Sequence, residues 1–299
     1  MRLRMLFCHA LLLFAWNPAH AAITEMEGKP VRIQNGNLGN INLIVGFRGG
    51  VNFAQPFVMD HNEVFQTDNS SVLYEKEYSP LFVNIGYHYA FLFMVYLKES
   101  LSLSFEPAIS NYNYKYQSNT GWTNGADPTD YIEYAAHHKN TISYLEFPLI
   151  MRMEFGNGTI KPFVSLGLVY GYRLNATKKM EYTVTRYNGS SPIPYENSTV
   201  YSDNSDSYIH SRLAVAPGIG FFYPVGAVKI MLSADFAFGL NNIIDESQRF
   251  ANSAVTSGMY DVQDDMRLSA LNITLGILFN TGRNQAGKAV ECVTFKRKR

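Results

Sequence analysis

The chain has 299 residues, with 25 basic and 25 acidic side chains and a formal net charge of zero at pH 7. This balance gives little support to a nucleic-acid-binding protein. Aromatic residues make up 14% of the sequence, including 20 Tyr and 20 Phe, which predicts many rings at surfaces or interfaces.

The first 21 residues have the three-part layout of a secretory signal peptide. Arg2 and Arg4 precede an apolar run, residues 5–16, and Ala-His-Ala at 19–21 follows Asn17 and Pro18. About 12 apolar residues are fewer than the roughly 20 that span a bilayer, which disfavours a short N-terminal anchor helix. We therefore predict a signal peptide at 1–21 and a periplasmic lead at 22–40.

The mature chain would contain one cysteine, Cys292. A single cysteine forms no intramolecular disulfide, and the sequence has no CxxC motif, His/Cys cluster or EF-hand loop. We predict no metal and no cofactor. Beyond the signal, no stretch approaches 18 consecutive apolar residues, which excludes a helical membrane protein.

Eight segments alternate between apolar and polar residues with a period of two, which predicts strands with chemically different faces. They are 41–53, 79–97, 101–112, 143–155, 160–174, 209–221, 228–241 and 271–279. In the fourth, SYLEFPLIMRMEF, one row is apolar from Leu145 to Phe155 and the other includes Glu146, Pro148 and Arg152. Pro148 predicts a bulge or local bend, because proline donates no ladder hydrogen bond.

Short and long connections alternate along the chain. Tight turns are predicted at 98–100, 156–158 and 223–226. The other connections are rich in Asn, Ser, Asp, Tyr and Gly and occupy 54–78, 113–141, 175–207 and 242–266. With an even number of strands, the tight turns and both termini lie at one end. The pattern predicts short periplasmic turns and four long extracellular loops.

Either face of these strands could be the interior, since a lipocalin-like barrel shows the same alternation. Glycines such as Gly46, Gly86 and Gly167 lie on the charged face, where they relieve crowding inside a small closed barrel. The apolar face would then contact lipid, and no charge interrupts the middle of its rows. We predict an eight-stranded antiparallel up-and-down transmembrane β-barrel at residues 41–279. Tyrosines near strand ends fit interfacial girdles: Tyr87, Tyr89, Tyr112, Tyr170 and Tyr172.

The predicted lumen is lined by charges of both signs, which must pair or stay hydrated in so narrow a barrel. We expect His88 and His210 to point inward and hydrogen-bond lumen carboxylates. The predicted charge network consists of Arg48, Glu106, Glu146, Arg152, Glu154, Lys161, Arg173, Arg212, Lys229 and Asp235.

Two stretches resemble a known family. ISYLEFPLIMRMEF with IKPFVSLGLVYGYRL, at 142–174, and APGIGFFYPVGAVKIMLSADFAFGLNNI, at 216–243, resemble the PorT-like outer-membrane β-barrel family of Bacteroidota. The resemblance implies an eight-stranded barrel with external loops. The family's namesake is associated with type IX protein secretion and gliding. Residues 280–299, a basic tail ending in Lys-Arg-Lys-Arg, depart from the family pattern.

The predicted function is that of a non-enzymatic protein of the bacterial outer membrane with surface-exposed loops, an accessory of an envelope or type IX secretion complex. Its expected partners are outer-membrane lipid, lipopolysaccharide and proteins of such a complex, and not nucleic acid. A small porin-like diffusion channel is the alternative. A lipid- or peptide-hydrolysing enzyme is a further one, because Asp60-His61 and His137-His138 lie in the predicted external loops and an Asp/His pair can activate a water or serine.

Overall fold

The structure, a computed structural model, describes residues 43–62, 74–124, 127–156, 158–188, 191–226, 228–250 and 261–281. The predicted signal peptide, the periplasmic lead and the tail beyond Thr281 lie outside the described residues. No helix within the described ranges is both long and apolar enough to cross a membrane.

The described residues form one antiparallel sheet of eleven strands. The strands are β1 (Leu43–Asp60), β2 (Tyr74–Tyr78), β3 (Ile85–Lys98), β4 (Leu101–Phe105), β5 (Ala108–Asn124), β6 (Asp127–Glu154), β7 (Lys161–Asn188), β8 (Ser191–Asp203), β9 (Ser211–Val225), β10 (Val228–Gly239) and β11 (Asp265–Asn280).

The strand pairings return to their starting point. From β1 they run through β11, β10, β9, β7 and β6 to β4 and β5, then through β3 back to β1. Two strands lie outside this circuit, since β2 pairs with β5 and β8 pairs with β7.

The break between β4 and β5 lies opposite a proline. The Glu106 amide donates to the Pro148 carbonyl at 3.0 Å, but Pro148 has no N–H to donate in return. β6 itself runs through Pro148 without a register shift there, so the strand has no bulge at this proline. The irregularity is in the neighbouring strand, and both β4 and β5 continue to pair with β6.

The two faces of the sheet differ as predicted: large apolar side chains are exposed and the charged face is buried. In β3 every second residue from Gly86 to Met94 is buried, while the residues between them, such as Phe91, are exposed. The girdle tyrosines Tyr87, Tyr89, Tyr170 and Tyr172 are exposed. Tyr112 is buried, so its assignment to the girdle was wrong; it lies on the same side of β5 as Ser110.

Three of the predicted long loops are largely strand where the structure describes them. Residues 54–60 continue β1 and residues 74–78 form β2. Residues 113–124 and 127–141 continue β5 and β6, and the described part of 175–207 contains the end of β7 and all of β8. β6 and β7 each have 28 residues. The outward rows of these strands become polar beyond Ile109, Leu145 and Leu174, so the extensions project past an apolar band. They form the outer part of the molecule.

The buried face contains three layers along the strands. Near the tight turns is an apolar cluster that includes Leu92, Met94, Phe222 and Met231. Charged side chains fill the middle. At the outer end a second cluster is rich in tyrosine: Tyr112, Tyr114, Tyr116, Tyr144 and Tyr208.

Candidate functional site

The largest group of buried charges is centred on Arg48 of β1. Its guanidinium forms ion pairs with Glu106 and with Asp235, each at 2.9 Å. Arg152 of β6 pairs with the other oxygen of Glu106 at 2.6 Å. Asp235 lies on β10, which β11 separates from β1, and Glu106 lies at the break between β4 and β5, which β3 separates from β1. The Arg48 pairs therefore reach past the neighbouring strand on each side.

A second group surrounds Glu146. Arg212 donates to this carboxylate at 2.7 Å, and the hydroxyls of Ser110 and Tyr112 donate at 2.6 and 2.9 Å. His88 hydrogen-bonds Ser110 at 2.8 Å, and its Nδ1 lies 3.9 Å from Glu146. Arg212 is therefore the cation that neutralises Glu146.

The remaining predicted lumen charges lie apart from these groups. Lys229 donates to the Tyr96 hydroxyl at 2.8 Å, Tyr96 donates to Glu154, and the Lys161 ammonium lies 3.9 Å from Glu154. Arg173 is buried but forms no ion pair with another described residue. The ten predicted residues thus separate into three groups and one isolated arginine.

Residues 261–264 close the outer end of the interior. We call this segment the plug; Asp261, Val262, Gln263 and Asp264 are all buried. Lys178 of β7 and Tyr116 both contact the Asp261 carboxylate.

Asp264 anchors the other end of the plug. Its carboxylate accepts from the Lys76 ammonium at 3.0 Å, from the Tyr78 hydroxyl at 2.7 Å and from the Asn62 amide at 2.9 Å. His61 contacts the same carboxylate at 3.1 Å. Both carboxylate oxygens of Asp264 accept hydrogen bonds, and these bonds connect the plug to β2 and to the residues that follow β1.

Burial and charge shift the protonation equilibria at this outer end. Burial alone would raise the pKa of Asp261, but Lys178 and Lys76 hold that pKa well below its usual range. Burial lowers the pKa of His138 to about 3, even though Asp261 opposes the shift. Near neutral pH, the Asp261 carboxylate of the plug is therefore charged and the His138 imidazole is neutral.

The model of a family described as outer membrane protein beta-barrel domain matches residues 33–245. The chain belongs to this family. It is accordingly a β-barrel protein of the bacterial outer membrane, as the sequence predicted. The family described by this model is broader than the PorT-like family that the sequence resembles.

Neisserial surface protein A and an autotransporter translocator domain are among the solved structures similar to this barrel protein, and no curated protein matches it. Neisserial surface protein A is 9% identical with a TM-score of 0.32, covering 80% of this chain and 96% of its own. The translocator domain of the autotransporter NalP from Neisseria meningitidis is 9% identical with a TM-score of 0.22. That match covers 93% of this chain and 98% of the translocator domain.

Three histidines of this outer-membrane barrel do not lie as the sequence predicted, whereas His88 is buried on the inward face as predicted. His137 and His138 belong to β6 rather than to a loop; His137 is exposed, while His138 is buried, stacks on Tyr116 and hydrogen-bonds Ser118 at 2.8 Å. His210 was predicted to point inward but is exposed beside Tyr172. The described residues contain no cluster of His, Cys, Asp or Glu suited to a metal.

The plug and its partners are buried charged residues that were not predicted from the sequence. Lys76, Lys178, Asp261 and Asp264 all fall in segments predicted to be extracellular loops. The one available signal was the run VQDD at 262–265, which contains no Gly or Pro and leads directly into a strand.

Proposed function

We infer that this protein is a non-enzymatic surface barrel with a closed interior, whose outer strand extensions bind other molecules of the envelope. The pairing circuit supports a barrel of eight strands, because β4 and β5 are two parts of one interrupted strand and β2 and β8 lie outside the circuit.

The filled interior is the main support for a barrel that is closed to diffusion. Arg48, Glu106, Arg152, Glu146 and Arg212 are each at most 4% exposed. An eight-stranded barrel is only wide enough for side chains to fill, and these ions are paired with one another. The plug adds a second obstruction at the outer end. Together they argue against the diffusion-channel alternative.

Planar bilayer recording tests this proposal directly. Protein refolded into detergent, and shown to be folded by its heat-modifiable migration on a gel, is expected to give no stable conductance steps. A variant with both Arg48→Ser and Asp235→Ser removes an ion pair without leaving an unpaired charge at that contact. Stable steps from the unaltered protein would contradict the closed interior.

The outer extensions supply the proposed binding surface. On β8, Tyr195 is 79% exposed and Ile193 is 51% exposed, and both lie far beyond the apolar band. Exposed aromatic and aliphatic side chains on a paired strand are typical of protein contact sites. The narrower proposal, an accessory of an envelope or type IX secretion complex, rests on the resemblance at 142–174.

Cross-linking in outer membranes tests the binding proposal. The double variant Ile193→Ser and Tyr195→Ser should lose cross-linked partners that unaltered protein retains, whereas Phe250→Ser, a change at another exposed aromatic, should retain them. An identical set of cross-linked products from all three proteins would refute the role of β8. Secretion-system components among the lost partners would support the narrower proposal.

The geometry of the histidines supports the non-enzymatic part of the proposal. His138 is enclosed, and the Asp264 carboxylate beside His61 is occupied by Lys76 and Tyr78. A screen on lipid and peptide substrates should show no turnover. Turnover that His61→Ala, or His137→Ala with His138→Ala, abolishes would identify an enzyme instead.

A further inference from the structure

Three lysines lie side by side on the outward face of the strand extensions. Lys115 of β5 is directly opposite Lys139 of β6, and Lys139 is directly opposite Lys179 of β7. We call them the lysine row. Tyr201 of β8 continues the row, with its ring 5.7 Å from the Lys179 ammonium.

Like charges directly opposite each other on adjacent strands destabilise a sheet, so the row has a cost that the fold alone does not explain. Lys179 contacts Glu181, whereas Lys115 and Lys139 form no ion pair with any described residue. The other carboxylates that register places around the row are Glu77 on β2, diagonal to Lys115, and Asp203 on β8, diagonal to Lys179. Lys139 is exposed at the centre, away from both; the carboxylate diagonal to it is Glu181, which contacts Lys179.

Neutral hydrogen-bonding groups adjoin the row on the side of the apolar band. Thr141 and Thr177 are opposite each other, and Thr141 donates to Asn113 at 2.7 Å. A surface depression of about 560 Å³ includes both threonines with Lys139 and Lys179. A second, of about 340 Å³, includes all three lysines. Cations bordered by hydroxyls match a ligand that combines phosphate with sugar.

The height of the row indicates where such a ligand comes from. Lys115 and Lys139 lie six residues beyond the facing pair Ile109 and Leu145, at the edge of the apolar band. Six residues span about 20 Å of strand, or about 14 Å of height at a tilt of about 45°. The lysine row therefore lies just outside the hydrocarbon layer, at the level of large lipid headgroups.

We propose that the lysine row binds the phosphorylated sugar headgroup of an outer-leaflet glycolipid, lipopolysaccharide, with Lys139 central and the two threonines contacting the sugar. This assignment rests on the outer-membrane location and is independent of the closed interior and of the β8 surface. It gives the predicted lipopolysaccharide partner a defined place on the molecule.

Full-length protein in detergent micelles, titrated with purified lipopolysaccharide, tests the site. The triple variant Lys115→Gln, Lys139→Gln and Lys179→Gln should bind at least tenfold more weakly, and the triple Lys→Arg variant should bind as the unaltered protein does. Lys98→Gln serves as the matched control and should not change affinity, because this exposed lysine lies beside the tight turn at the end of β3. Lipopolysaccharide stripped of phosphate should bind unaltered protein and the triple Gln variant equally weakly.

Two outcomes would overturn the proposal. One is equal affinity of the unaltered and triple Gln proteins for phosphorylated lipopolysaccharide. Another is saturation by inorganic phosphate alone with full displacement of the lipid, which would identify a free-phosphate site. If the triple Gln variant does not show heat-modifiable migration, the single Lys139→Gln variant replaces it, with a threefold or greater loss expected.

Discussion

Removing Arg212 should destabilise the barrel strongly, because it leaves Glu146 buried without its cation. The carboxylate would lose the 2.7 Å bond from Arg212 but keep those from Ser110 and Tyr112. The Leu268 carbonyl would lose two guanidinium donors, at 3.3 and 3.1 Å. Breaking a buried pair costs about 3 to 5 kcal/mol, and the retained hydroxyls place Arg212→Met near the lower end, at about 3 kcal/mol.

Urea unfolding of vesicle-reconstituted protein, with the folded fraction taken from heat-modifiable migration, measures this cost. The double variant Arg212→Met with Glu146→Gln removes both charges and should recover most of the loss. Arg186→Met, which breaks the exposed pair with Asp130, is the matched control and should change little. A loss below about 1 kcal/mol for Arg212→Met, or a double variant no more stable than it, would refute the pairing argument.

Two further predictions concern acidity and crowding. The pKa of His138 is about 3 in the folded protein and about 6.5 in the unfolded chain. Its contribution to the free energy of unfolding is therefore complete above about pH 6.5 and falls as the pH drops towards 3. At pH 5 the free energy of unfolding should be lower by about 2 kcal/mol. Urea midpoints at pH 7 and 5 should differ less in His138→Gln, and an equal difference would contradict this. Asp261, whose pKa is depressed, should add a loss only below about pH 4. Gly50→Ala should reduce folding yield, since a Cβ there would overlap the Ile273 carbonyl oxygen. Gly121→Ala, with its nearest atom at 3.8 Å, should fold normally, and equal yields would contradict the crowding.

The sequence was sufficient to assign the two faces of the sheet because lipid imposes a strict chemical contrast. Wherever one row of a strand is Leu, Val or Phe and the other contains Glu146, Arg152 or Gly167, the period of two is unmistakable. The buried positions of Arg48 and Glu106 follow from that contrast. The specific partners do not, because they depend on the stagger between strands distant in the chain.

The strand extensions were not predicted, because the chemical contrast between the two rows is lost there. Beyond the apolar band the outward row contains Lys139 and Thr141 and the buried row contains His138 and Asn140, so hydrophobicity no longer alternates. Such segments have the composition of loops. The plug was equally hidden, since burial of Asp261 depends on Lys76 and Lys178 and not on local pattern.

The length of β6 has a consequence for what can touch this protein from outside the cell. Its outer part, residues 127–143, corresponds to roughly 55 Å of strand and roughly 40 Å of height at the usual tilt. An antibody, a phage fibre or another cell would meet the ends of the β5–β6 and β7–β8 hairpins long before the lysines beneath them. Immune pressure should therefore fall on the hairpin ends, while the lower part stays shielded by the glycolipid layer itself.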